Sequence, residues 1–127
     1  MELHLVYLAD DTGIASVFPQ LKEQLAGQDA QYLSLLYYSV QGRFHFRREL
    51  TLLQKHYPAK LHTGFIATDT FPYGSGEREE IEAVINANTL KEIRFILSGN
   101  LPFIDSMQQW LRFLGIDRIQ LQEQYFA

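Results

Sequence analysis

Two acidic residues and a glycine directly follow the first apolar run of the chain, in the segment Ala9–Ile14 (Ala-Asp-Asp-Thr-Gly-Ile). The free N–H groups and the dipole at the amino end of a following helix form a binding position for an anion such as phosphate. Two carboxylates at this place would resist a phosphate, because like charges about 4 Å apart repel by about 1 kcal/mol in water and by more when partly buried. The residues therefore leave two interpretations open: a phosphate site, or a helix N-cap made by Asp11 or Thr12.

A second group of residues with chemical potential is Ser98-Gly99-Asn100, which closes another apolar run. Ser98 could be a nucleophile, but no G-x-S-x-G elbow surrounds it and no base is identifiable. We expect instead that it hydrogen-bonds a ligand or caps the helix that follows. The four histidines lack the spacing of metal ligands, so no metal site is predicted. His4 and His62 fall in predicted strands, where a structural role is favoured.

The composition favours a single-domain protein and argues against several kinds of partner and site. The chain has 127 residues, enough for one domain, and its net charge of −4 argues against nucleic acid as the main partner. It contains no cysteine, which excludes disulfides and thiolate metal sites and fits a reducing compartment. No apolar run approaches the roughly 20 residues of a membrane span, so no membrane partner is expected. The predicted location is cytoplasmic.

The elements that must position these residues alternate regularly along the chain. Five apolar runs read as strands: Leu3–Ala9, Tyr32–Tyr38, Lys60–Ala67, Ile93–Leu97 and Arg118–Glu123. Between them lie four helical patterns: one from Ile14 to just before Gly27, one at Phe46–His56, one at Glu77–Ala87, and one with Pro102 early and Gly115 as its C′ residue. Right-handed crossovers then predict a three-layer αβα fold with a doubly wound, five-stranded parallel sheet. We predict the strand order 3-2-1-4-5. Ligands bind such sheets at the carboxyl ends of the strands.

The order of features resembles the NAD(P)-binding half of the ferredoxin–NADP reductase superfamily of flavin reductases, over nearly the whole chain. Four segments carry the likeness. The first is Leu8–Ile14, which resembles the family's A-G-G-T-G-I pyrophosphate loop. The second joins Leu35–Ser39, which resembles L-x-Y-G, to Phe44–Leu50, which resembles F-x-x-E-L. The third is Ser98–Pro102, which resembles C-G-P-P, and the fourth is Glu123–Phe126, which resembles the closing E-x-Y-F. The siderophore-reductase branch has an acidic first loop (D-E-T-A-L-like), as this chain does.

The resemblance implies a row of cofactor contacts along one edge of the sheet. Thr12 and Gly13 would contact the pyrophosphate with Asp11 and Ile14 beside them, Ser39 and Arg43 would lie by the adenosine ribose, and Ser98, Gly99 and Asn100 would lie by the nicotinamide. Phe126 would face the isoalloxazine ring of the flavin, which makes Ser98 and Phe126 the catalytic candidates. Three departures stand against this: Asp10 and Asp11 replace two glycines, Ser98 replaces a cysteine, and only Arg43 is available for the arginine expected after the strand-two tyrosine.

The function implied is that of a single NAD(P)-binding domain over residues 1–127, of ferredoxin reductase type and without a flavin-binding barrel. It would pass a hydride from NAD(P)H to FAD or FMN held on another domain or chain, and it would not be a competent enzyme alone. One alternative is a degenerate nucleotide-binding fold that acts as a protein-interaction domain. Another is a receiver-like phosphoacceptor, with Asp10 and Asp11 on Mg²⁺, Asp69 phosphorylated and Ser98 as the switch hydroxyl.

Overall fold

The computed structural model describes residues 2–40, 42–67 and 75–123. The strands are β1 (Leu3–Ala9), β2 (Tyr32–Ser39), β3 (Leu61–Ala67), β4 (Glu92–Gly99) and β5 (Ile119–Glu123), and the helices are α1 (Ile14–Ala26), α2 (Arg47–His56), α3 (Ser75–Ala87) and α4 (Leu101–Phe113). Each predicted element is confirmed, with the ends shifted by a residue or two. Gly115 takes a left-handed conformation (φ +82°) just past α4, as a C′ glycine does.

The five strands form one parallel sheet in the order β3-β2-β1-β4-β5, which confirms the predicted order. Receiver domains have the order 2-1-3-4-5. The residue types at the strand ends suited a receiver-like phosphoacceptor, but the order of the strands differs from that of a receiver. The receiver-like alternative is therefore wrong.

Side chains of the central strands point alternately into two apolar cores, so that helices cover both faces of the sheet. Along β1, Leu5 and Tyr7 pack with the apolar stripe of α1, whereas Val6 and Leu8 pack against α3 and α4. All seven residues of β1 are buried, which explains why this strand is a nearly continuous apolar run, interrupted by His4, rather than an alternating one. Within the described part of the chain no helix has both the length and the apolar character to cross a membrane.

His4 on β1 is buried and hydrogen-bonded at both ring nitrogens, which confirms the structural role predicted for it. Its Nε2 lies 2.8 Å from Ser34 Oγ on β2, and its Nδ1 lies 3.1 Å from Asn88 Oδ1, just past α3. His62 on β3 is exposed. His4 is therefore a buried imidazole whose hydrogen bonds to water are replaced by hydrogen bonds to two protein side chains.

We expect the free energy of unfolding to decrease as the pH falls below about 6.5. Burial lowers the pKa of His4 from its usual 6.5; the charge of His62 acts in the same direction and the hydrogen bond with Asn88 opposes it. The unfolded chain thus binds this proton more readily, so the stability is complete above the unfolded pKa and is lost as the pH falls through the folded one. Urea unfolding at pH 7.5 and 5.5 would show a smaller loss for His4→Gln than for the wild type. Equal losses would assign the pH dependence to other groups.

Candidate functional site

The loops after β1 and β4 meet at the carboxyl edge of the sheet, where the chain turns to opposite faces on α1 and α4. Asp10 N donates to the carbonyl of Ser98 at 3.3 Å, and Ser98 Oγ donates to the carbonyl of Gly13 at 3.2 Å. A Cβ atom on Gly13 would lie 1.9 Å from the Ser98 carbonyl oxygen. The conformation of Gly13 (φ −92°, ψ −20°) is open to any residue, so glycine is required here by the close approach of the two loops alone.

The carboxylate of Asp10 fills the space between the two loops. It is 4% exposed. Its Oδ1 accepts hydrogen bonds from Thr12 N (2.9 Å), Thr12 Oγ1 (2.7 Å) and Gly13 N (2.9 Å), and its Oδ2 accepts one from Asn100 N (3.2 Å). A Cβ atom on Gly99 would lie 2.5 Å from Oδ1, so glycine at that position leaves room for the carboxylate. A side-chain anion thus occupies the position that the amino ends of α1 and α4 offer to an anion.

The interpretation that Asp11 or Thr12 caps α1 is therefore wrong, because Asp10 accepts the free N–H groups in front of the helix. Asp11 turns instead toward β2, where it accepts from Tyr37 Oη–H at 2.6 Å and from Ser39 Oγ at 2.9 Å. Burial, followed by the hydrogen bond to Asp11, raises the pKa of Tyr37, so the phenol remains a donor at neutral pH. In turn Tyr37 Oη accepts from His45 N at 3.1 Å, which ties the β2–α2 loop to the same network.

The two neighbouring carboxylates thus have separate sets of donors, and they do not converge on one ligand position. Within residues 2–40, 42–67 and 75–123, no three His, Cys, Asp or Glu side chains are arranged to hold a metal ion.

Ser98 is fully buried at the end of β4, with its hydroxyl directed at the carbonyl of Gly13. The expectation that it caps α4 is wrong: the N-cap is Asn100, whose Oδ1 accepts from Phe103 N at 3.0 Å. A catalytic role for the Ser98 hydroxyl stays a prediction, and it requires the bond to Gly13 to open. Phe126, the other catalytic candidate, and Asp69 lie outside the described residues.

The residues assigned to the adenosine ribose lie at the β2 side of this edge. Ser39 is buried against Asp11, whereas Arg43 is exposed on the β2–α2 loop. Beside them is an aromatic cluster that the residue types alone did not reveal, in which the Phe44 ring lies 5.0 Å from that of Tyr37 and 5.2 Å from that of Phe65. The guanidinium of Arg47 lies over Phe44 at 5.4 Å and over Phe65 at 5.0 Å. In the sequence, this cluster was indicated only by the Phe44–Leu50 segment, which contains Phe44 and Arg47 and resembles F-x-x-E-L.

No protein-family model and no curated protein matches the chain. Solved structures do match it. The CS-b5R domains of human Ncb5or, in an NAD⁺ form, superpose with a TM-score of 0.76 at 17% identity, over 93% of this chain and 36% of that one. Ferredoxin-NADP⁺ reductase from Plasmodium falciparum superposes with a TM-score of 0.71 at 16% identity, over 96% of this chain and 52% of that one. The same reductase with 2′P-AMP gives 0.65 at 14% identity, with 96% and 52% covered.

The chain spans between about a third and about half of the length of these structures. At such low identity the likeness establishes the fold alone. The resemblance drawn from the sequence is confirmed at that level: this chain has the fold of an NAD(P)-binding domain of the ferredoxin–NADP⁺ reductase type.

Proposed function

We propose that this chain is the NAD(P)-binding module of a flavin-dependent oxidoreductase, acting with FAD or FMN held on another domain or chain. The observation that carries the proposal is the fold it shares with the CS-b5R domains of Ncb5or in an NAD⁺ form and with a ferredoxin-NADP⁺ reductase that holds 2′P-AMP. The meeting of the β1–α1 and β4–α4 loops supports it, because open α/β sheets bind ligands where the strand order reverses. The nicotinamide would supply the hydride and the flavin would accept it.

The pyrophosphate does not fit the place that the family resemblance assigns to it. A phosphate there would need the N–H groups of Thr12 and Gly13 and the Thr12 hydroxyl, and Asp10 already accepts all three. Asp10 is too enclosed to turn away without parting the loops. In this proposal Asp10 acts as the resident anion that holds the loops together, and the cofactor phosphates contact other groups.

Arg43 is the group that we assign to those phosphates. It is exposed at the carboxyl edge, and its charge is opposite to that of the ligand. The aromatic cluster with Arg47 over it provides apolar surface next to Arg43 for the adenosine. Ser39 would contribute by holding the loop, because its hydroxyl also lies 3.3 Å from the carbonyl of Arg43.

The test is calorimetric titration of the protein with NAD⁺, NADP⁺ and 2′P-AMP. We expect at least one of them to bind, and we expect Arg43→Glu to weaken that binding by about tenfold, since reversing a charge at a phosphate contact costs on the order of 1.4 kcal/mol. Arg112→Glu is the matched control, because Arg112 is also exposed but lies in the last turn of α4, at the other edge of the sheet. Equal effects of the two reversals would remove Arg43 from the site.

A second candidate function is a degenerate nucleotide-binding fold that works through protein contacts. The specific observation in its favour is again Asp10, because an internal carboxylate satisfies the donors that a phosphate would otherwise use. Failure of all three nucleotides to bind the wild-type protein at millimolar concentration would favour this candidate over the first.

A further inference from the structure

A cavity of about 470 Å³ lies on the far side of the sheet from α1, away from the loops that contain Asp10 and Ser98. Its floor is formed by β1, β2 and β3 near their amino ends, and its wall by the second half of α3. Small residues on that wall, such as Ala83 and Ala87, leave the space between helix and sheet. The volume is in the range of sites for small organic molecules.

The floor of the cavity carries a hydrogen-bond chain whose direction is fixed. Leu90 N donates to Asn88 Oδ1 and Asn88 Nδ2 donates to the Leu90 carbonyl, which sets the orientation of the Asn88 amide. Asn88 Oδ1 therefore accepts from His4 Nδ1–H, and the unprotonated Nε2 of His4 accepts from the Ser34 hydroxyl. Ser34 has thus used its one proton, and what its oxygen offers the cavity is an acceptor.

The charges around the cavity also favour a ligand that donates hydrogen bonds. Glu80 lines it with an exposed carboxylate, and the last turn of α3 brings the negative end of the helix dipole to it. Among the described residues that line it, none is a lysine or an arginine. Leu36, Val84 and Leu90 supply apolar surface.

We propose that this cavity binds a small organic cation, with an amidinium or ammonium group on an apolar body. The cation lies toward Glu80 and the carboxyl end of α3, and one of its N–H groups donates to Ser34 Oγ. The apolar body packs against Leu36 and Val84. The proposal is independent of the dinucleotide function, which concerns the opposite edge of the sheet.

The order Ser34–His4–Asn88 also matches that of a nucleophile relay, but the surroundings do not suit acyl transfer. Ser34 lies within β2, between β1 and β3, with its neighbours paired in the ladders on both sides. The backbone N–H groups next to Ser34 are therefore used within the sheet and do not form an oxyanion hole. In this proposal His4 keeps its structural role, and its hydrogen bond orients Ser34 so that the Ser34 oxygen can accept from the ligand.

The test is a titration of ¹⁵N-labelled protein with benzamidine, an aromatic amidinium, in parallel with benzoate, its anionic counterpart. We expect benzamidine to shift the amide resonances of Ser34, Ala83 and Asn88, and benzoate to leave them in place. Glu80→Gln should weaken benzamidine binding about threefold, the size typical of an exposed ion pair. No shifts up to about 10 mM benzamidine, or equal shifts with benzoate, would overturn the proposal.

A cavity-filling variant shows whether the shifts report this cavity. Ala87→Phe places a ring in it from the last residue of α3, and we expect at least tenfold weaker benzamidine binding. Ala26→Phe is the matched control, because Ala26 is the exposed last residue of α1 on the other face of the sheet. Unchanged binding in Ala87→Phe would place the ligand elsewhere and so contradict the proposal.

Discussion

Replacing Gly13 with alanine is expected to lower the free energy of unfolding by about 3 kcal/mol or more, for one added methyl group. The new Cβ atom would lie 1.9 Å from the carbonyl oxygen of Ser98 and 2.2 Å from its carbonyl carbon. Both are backbone atoms of a central strand, so they have little freedom to move. Separating the loops would also strain the bonds from Ser98 Oγ to the Gly13 carbonyl and from Asp10 N to the Ser98 carbonyl. Urea unfolding followed by circular dichroism measures the loss.

Gly27→Ala is the matched control for this substitution. Gly27 also has a negative φ, of −91°, at an end of the same helix, and the nearest atom to its Cβ position is the Glu23 carbonyl oxygen at 3.4 Å. That is ordinary contact, so we expect a change within about 1 kcal/mol. If the two variants were equally stable, the close approach of the β1–α1 and β4–α4 loops would be disproved.

Replacing Asp10 with alanine is expected to cost about 3 kcal/mol and to create an anion-binding site. The substitution leaves the N–H groups of Thr12, Gly13 and Asn100 without their acceptor in a buried space. Sulfate or phosphate can then take the place of the carboxylate at the amino ends of α1 and α4. With a dissociation constant on the order of 1 mM, 50 mM sulfate would restore roughly 2 kcal/mol. Thermal unfolding with sulfate, against sodium chloride at equal ionic strength, measures this rescue.

Asp11→Ala provides the comparison, since it removes the neighbouring carboxylate without opening the space between the loops. Its two partners are hydroxyl groups, and Ser39 retains the Arg43 carbonyl as an alternative acceptor. We expect a smaller loss, about 1 kcal/mol, and no response to sulfate. A sulfate response of the same size in the wild-type protein would mean that Asp10 does not occupy the anion position.

The rescue experiment also bears on the two candidate functions. The wild-type protein carries its own anion where a reductase loop of the A-G-G-T-G-I type would hold pyrophosphate. Nucleotide binding by the wild-type protein that is weakened about tenfold in Arg43→Glu would support a reductase module that contacts phosphate from the β2–α2 loop. Anion binding that arises only in Asp10→Ala, without nucleotide binding by the wild type, would support the degenerate fold.

The positions of the strands and helices could be predicted from the sequence because each depends on local periodicity. The nearly continuous apolar run Leu3–Ala9 is typical of a strand buried on both faces. The apolar stripe in Ile14–Ala26 is typical of a helix that covers one face of a sheet. Right-handed crossovers then imply a doubly wound sheet, but they allow more than one strand order, and the structure shows the order 3-2-1-4-5. The meeting of Asp10 and Ser98 at one edge follows as well, because parallel strands end on the same side.

The roles of the polar side chains within that edge depended on residues distant in sequence. Asp10 accepts three local hydrogen bonds from Thr12 and Gly13, and Asn100, 90 positions later, donates a fourth. Asp11 turns the other way, where Tyr37 and Ser39 on β2 donate to it. The cavity near His4 likewise requires α3 to pack over β2. Sequence by itself determined the strands, the helices and the edge of the sheet where the β1–α1 and β4–α4 loops meet. Only the tertiary structure decided which carboxylate fills the anion position, because Asn100, Tyr37 and Ser39, which lie 26 to 90 residues away along the chain, are brought to the two carboxylates by packing and not by local pattern.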